Sequence, residues 1–167
     1  MTARRTLRSA LVLAAVAVVA GVVQASAPPG QYATFGRDDL CISDVMTKLT
    51  WIRAPLASTQ SFTAAATSCA ALGSGWRVPS VNELLTLVDE DPHYELEGGQ
   101  LVPKAIDANA FPGTPVGTAY WTSSVGAGAT AWVVNFQDGS TFLPAQTEAH
   151  EVRCVVLTQP SSPAACQ

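Results

Sequence analysis

Four cysteines, Cys41, Cys69, Cys154 and Cys166, constrain this chain more than any other feature. They lie far apart, so bridges between them would tie together most of the folded length. An even count pairs by default wherever the compartment is oxidising. The first residues point to such a compartment. Arg4, Arg5 and Arg8 precede an uncharged apolar run from Ala10 to Val23, and the small residues Ala25, Ser26 and Ala27 follow it, the pattern of a cleavable export signal. The run falls short of the roughly 20 residues that a membrane-spanning helix needs, and Pro28, Pro29 and Gly30 break any helix behind it. Residues 1–25 therefore read as a signal peptide, with cleavage possible to 27 and no stable membrane insertion afterwards. A zinc site needs close pairs such as C-x-x-C, which these cysteines do not form, so no metal is assigned to them.

Charge narrows the partners. The sequence carries nine Lys and Arg against thirteen Asp and Glu; removal of Arg4, Arg5 and Arg8 leaves six against thirteen, a net charge of −7. A domain so acidic is repelled by polyanions, which excludes nucleic acid and disfavours anionic membrane surfaces. The remaining length of about 140 residues suits one domain with a real core.

Periodicity predicts an α+β chain with helices early and strands late. Phe62, Ala65, Ala66 and Cys69 recur at helical spacing from Ser61 to Leu72, with Gly73 at the cap position. A second helix opens at Ser80-Val81-Asn82-Glu83, a capping box, with Val81, Leu84, Leu85 and Val88 as its apolar stripe. The stretch from Asp89 to Thr118 is rich in Pro and Gly and reads as a long structured loop with a short turn near Ile106 to Ala110. Strands follow at Ala119 to Ser124, Ala131 to Phe136, Thr141 to Ala145 and Glu151 to Leu157, the middle two joined as a hairpin through Gln137-Asp138-Gly139-Ser140. Val152, Cys154 and Val156 share a face, so Cys154 is placed to reach Cys69 and leave Cys41 for Cys166. That is one of three possible connectivities.

Several strings together carry a resemblance: Leu49-Thr50-Trp51, Cys69-Ala70-Ala71-Leu72-Gly73, Gly75-Trp76-Arg77-Val78-Pro79, Tyr120-Trp121-Thr122-Ser123-Ser124, Trp132-Val133-Val134-Asn135-Phe136 and Val152-Arg153-Cys154-Val155. In this order, from about Asp44 to Leu157, the chain resembles the Lcl C-terminal domain family of bacterial secreted proteins. The resemblance implies a C-type-lectin-like fold, with two helices packed on a small mixed or antiparallel sheet, a helix cysteine bridged to the final strand, and chain ends held together. Cys69 and Cys154 match those two cysteine positions. Residues 26–40 form an N-terminal segment in this reading, 41–158 the domain and 159–167 a tail. Family members are extracellular or surface-attached, and the founding member is a collagen-like adhesin that binds host glycans. This chain has no Gly-X-Y stalk, and its acidity disfavours sulfated polysaccharides.

An exported, non-catalytic binding module is therefore expected, secreted or at the periplasmic or cell surface, with a glycan or a protein as ligand. No cofactor is expected. Besides zinc, calcium is weighed, for the acidic run Asp89, Glu90, Asp91, Glu95 and Glu97, which lacks the EF-hand glycine. The calcium-lectin sugar motifs Glu-Pro-Asn, Gln-Pro-Asp and Trp-Asn-Asp are absent. An oxidase of the formylglycine-generating kind would need two reactive thiols, and no G-x-S-x-G or H-E-x-x-H motif supports hydrolysis. Candidate ligand-binding residues are Asp91, His93, Tyr94 and Glu95 in the long loop, together with Trp121. Trp76 and Trp132 read as core. Arg77 and Arg153, in otherwise apolar strings, read as structural braces.

Overall fold

A computed structural model of the chain describes residues 27–157 and 164–167. The signal peptide expected over 1–25 lies outside the described residues, as does part of the tail expected over 159–167. The chain opens on strands β1 (Tyr32–Phe35), β2 (Cys41–Asp44) and β3 (Leu49–Ile52). Helices α1 (Phe62–Ala70) and α2 (Val81–Leu85) follow, then β4 (His93–Glu97), β5 (Gln100–Lys104), β6 (Tyr120–Val125), β7 (Ala131–Val134), β8 (Thr141–Phe142) and β9 (Val155–Leu157).

The strands divide into three antiparallel sheets, β1-β2-β3-β9, β4-β5 and β6-β7-β8, in place of the single sheet expected. The expected order, helices before strands, is also corrected at its front. Each of the first three strands is only four residues long and too short to show a clear period. What holds them is pairing across the chain: Leu49, Thr50 and Trp51 of β3 lie opposite Leu157, Val156 and Val155 of β9.

Both disulfides are present, Cys69–Cys154 and Cys41–Cys166. The first lies in an apolar cluster with Ala65, Trp76, Val78, Trp121 and Val133. The second fastens the C-terminal 3-10 turn, Ala164–Cys166, beside β2. Gly36 makes room for that turn: its φ of 86° is left-handed, and a Cβ there would run into the Cys166 carbonyl. A second cluster gathers Trp51, Leu84, Phe111, Tyr120, Val134 and Phe136.

The two clusters explain a tryptophan that the sequence misplaces. Trp132 was expected to share a buried face with Val134 and Phe136, yet it is only half-buried while Val133 and Val134 are both fully buried. β7 is the middle strand of its sheet, with Val133 in one cluster and Val134 in the other. A strand covered on both faces shows no alternation.

The arginines behave as expected. Arg77 pairs with Glu83. Arg153 is completely buried. It donates to the carbonyls of Ile52 and Arg53 and to the Thr114 hydroxyl, with its guanidinium carbon 4.8 Å from the Phe111 ring centroid.

Candidate binding face

The stretch predicted as a long loop contains the hairpin β4-β5, a sheet of its own. Its turn is Gly98-Gly99, both with positive φ (56° and 85°), between the paired residues Glu97 and Gln100. Two consecutive left-handed residues are what a two-residue hairpin loop of the right twist demands, and glycine adopts them without strain. The Gly-Gly dipeptide was the available signal for this hairpin.

A two-stranded ribbon is marginal alone in water, so its attachment matters. At its base the Asp89 N–H donates to the Ala105 carbonyl at 3.0 Å, and the Ala105 N–H donates to the Phe136 carbonyl at 2.7 Å. Val102 packs against the second apolar cluster. On this inner side the Lys104 side chain is only 6% exposed, and its ammonium lies 2.6 Å from Glu95 and 2.7 Å from Glu97. The second carboxylate oxygen of Glu95 is 3.1 Å from His93 Nε2. Hydrogen bonds from Lys104 and then His93 hold the Glu95 carboxyl below its usual range. Burial pulls the Lys104 ammonium down, but the two carboxylates outweigh it and its pKa ends raised.

Strand alternation puts the complementary set on the outer face. Tyr94 lies opposite Pro103 and Leu96 opposite Leu101. Tyr94, Leu96 and Leu101 are 64%, 71% and 68% exposed. The ribbon's Lys104, Glu95, Glu97 and His93 thus pair on the inner side, beside Val102, while Tyr94, Leu96 and Leu101 face solvent.

The five candidate residues separate accordingly. Asp91 is exposed at the base of the ribbon, its N–H donating to Asp89 Oδ1. Tyr94 is on the outer face. His93 is buried on the inner side and Glu95 is engaged there by Lys104 and His93. Trp121 is corrected as a ligand platform: it is fully buried, its Nε1–H donates to the Gln60 carbonyl at 2.7 Å, and its ring meets Phe62 and His150 edge-on. Sequence reasoning missed Leu96, Leu101 and Pro103, because a stretch read as loop carries no faces.

A concavity lies where the N-terminal segment crosses the domain. Two adjoining clefts of about 320 and 470 Å³ share Ala27, Pro28, Tyr32 and Asp107. Asp107 is not poised there as a base, for Oδ2 accepts the Ala27 N–H and Oδ1 accepts the N–H groups of Asn109 and Ala110. Burial, with Asp44, Asp107 and Asp89 nearby, pushes the Tyr32 phenol well above its usual range, the reverse of an activated nucleophile. All four cysteines are bridged. Among the described residues no group of three or more His, Cys, Asp or Glu side chains is disposed to hold a metal ion. Of the acidic run weighed for calcium, Glu95 and Glu97 are turned onto Lys104.

Fold and face together define a disulfide-stapled mixed α/β domain with a braced hairpin presenting apolar side chains to solvent. The family profile of the Lcl C-terminal domain matches residues 40–156, and the chain belongs to that family. No curated protein matches it. Among the described residues no helix is long and apolar enough to cross a membrane.

Proposed function

We propose that this chain is an exported, non-catalytic binding module, working outside the cytoplasm, and that the β4-β5 hairpin is its recognition element. The observation that carries the reading is the outward row of exposed Tyr94, Leu96 and Leu101, with half-buried Pro103 opposite Tyr94, on a ribbon whose Lys104 pairs with Glu95 and Glu97 on the opposite side. Large exposed apolar side chains grouped on one rigid element mark contact surfaces. The two disulfides suit an oxidising compartment. The bridge from α1 to the segment entering β9 supports the C-type-lectin-like reading of the scaffold. Engagement of Asp107 by backbone N–H groups and of every cysteine in a bridge supports the absence of catalysis.

Of the two ligand classes, a protein fits this face better than a glycan. Sugar recognition pairs an aromatic ring with side chains that hydrogen-bond hydroxyls, and beside Tyr94 the outer face offers leucine and proline. The test is photo-crosslinking in the native host, with a photoreactive residue replacing Leu96, Leu101 or, as control, the exposed Thr63 on α1. Adducts are expected from positions 96 and 101 and not from 63. Equal labelling at all three, or glycan-array binding that survives Leu96→Ser with Leu101→Ser, would overturn the reading.

A further inference from the structure

The sign of charge around the hairpin names its partner more closely. Resting on the function just stated, we propose that the outer face docks an apolar segment of a partner protein flanked by lysine or arginine.

The cations of the domain are spent internally or placed elsewhere. Lys104 and Arg153 are buried. Arg77 is joined to Glu83, and Arg53 donates to the carbonyls of Ala110 and Asn109. Arg37 and Lys48 sit on the turns that flank β2. The anions, by contrast, collect beside the apolar face. Asp89, Glu90 and Asp91 run directly into β4 with Glu90 and Asp91 exposed, and at the tip the Glu97 side chain remains 48% exposed despite its bond to Lys104. An apolar centre with exposed carboxylates at its base and near its tip is complemented by an apolar centre with a basic border. Charge of that kind speeds encounter and selects among partners, while the desolvated leucines hold the complex. A second copy of this chain is opposed by the same argument, because two domains of net charge −7 after signal removal repel one another. Anionic lipid is opposed likewise.

The test uses the mature, disulfide-bonded protein and three short labelled peptides read by fluorescence anisotropy: alternating leucine and lysine, alternating leucine and glutamate, and alternating serine and lysine. The leucine-lysine peptide is expected to bind, and the other two to bind at least about tenfold more weakly. Leu96→Ser with Leu101→Ser, which leaves every charge in place, should weaken leucine-lysine binding by about tenfold or more without changing the melting temperature. Glu90→Gln with Asp91→Asn should weaken it by about threefold and flatten its salt dependence. Equal binding of the serine-lysine or the leucine-glutamate peptide, or full affinity in the leucine variant, overturns the proposal. So does a dimer in sedimentation velocity that disappears in the leucine variant, which would assign the face to a second copy. If the leucine-lysine peptide fails to bind while photo-adducts still form at position 96, the partner's chemistry is wrong and the binding function stands; if neither occurs, both fall.

Discussion

Arg77 and Glu83 face each other fork to fork, Nη1 2.7 Å from Oε2 and Nη2 2.6 Å from Oε1, and the same carboxylate closes the cap of α2 by accepting the Ser80 N–H at 2.8 Å. One side chain thus ties the link between the helices to the start of the second. The Arg77 hydrogen bonds, with those from Ser80, hold the Glu83 pKa down at about 2, against 4.5 for a free glutamate.

A folded-state pKa below the unfolded one contributes stability that is complete above about 4.5 and is lost as pH falls toward about 2. Thermal melts of the native protein should fall through that window, and those of Glu83→Gln should fall less. Because the pair is partly exposed, its share is modest, about 1 kcal/mol including the cap. Parallel curves for the two proteins would refute the assignment.

His150 has the opposite chemistry and the same sign. It is buried against Trp121, with ring centroids 4.7 Å apart. Burial lowers its pKa from 6.5, an effect that the Glu148 carboxylate and the Ala119 backbone only partly offset. A base that must be neutral in the folded state makes the unfolded chain bind more protons, so stability is complete above about 6.5 and falls as pH drops below it. His150→Phe should flatten the fall of stability just below pH 6.5. An unchanged slope in calorimetry would show that the acid sensitivity originates elsewhere.

Arg153 should be intolerant of lysine. Its fork reaches two carbonyls and the Thr114 hydroxyl and lies over the Phe111 ring. A lysine ammonium would keep the buried charge but lose the fork and the stacking. Arg153→Lys is expected to cost about 2–4 kcal/mol, more than Arg153→Met, which loses the hydrogen bonds without burying a charge. Denaturant midpoints that rank methionine below lysine would contradict this account.

Lys104 braces the hairpin without being part of the apolar clusters. Lys104→Met should leave the global melt nearly unchanged while amide exchange across Leu96 to Leu101 rises by about tenfold. Exchange that is unaltered there would mean that the ribbon is held by its base contacts alone.

Short-range chemistry was readable without coordinates. The Ser80-x-x-Glu83 box forms as written, because its partners are three residues apart and need nothing else. Asp138-Gly139 makes its turn between β7 and β8, with Gly139 at a φ of 75°. The apolar spacing of Cys69 and Cys154 suggested their pairing as one of three connectivities, and only the folded chain, which brings α1 against the segment entering β9, decided among them. The candidate site was half legible: composition directed attention to Asp91 and Tyr94, but only pairing with β5 could say that residues 93 and 95 turn inward while 94 and 96 turn outward.

What the sequence by itself determined, then, are the features whose partners are neighbours in the chain: the caps, the turns, the acidic balance and the cysteines available to pair. The tertiary structure alone decided which face each strand shows. Trp121 and Tyr94 are both aromatic residues on short strands, yet one is sealed between α1 and His150 and the other stands in solvent. The difference is made by α1 and the 150 region, distant in sequence from Trp121 and brought against it by folding. Burial is a property of what covers a residue, and the covering groups lie beyond any local window of sequence.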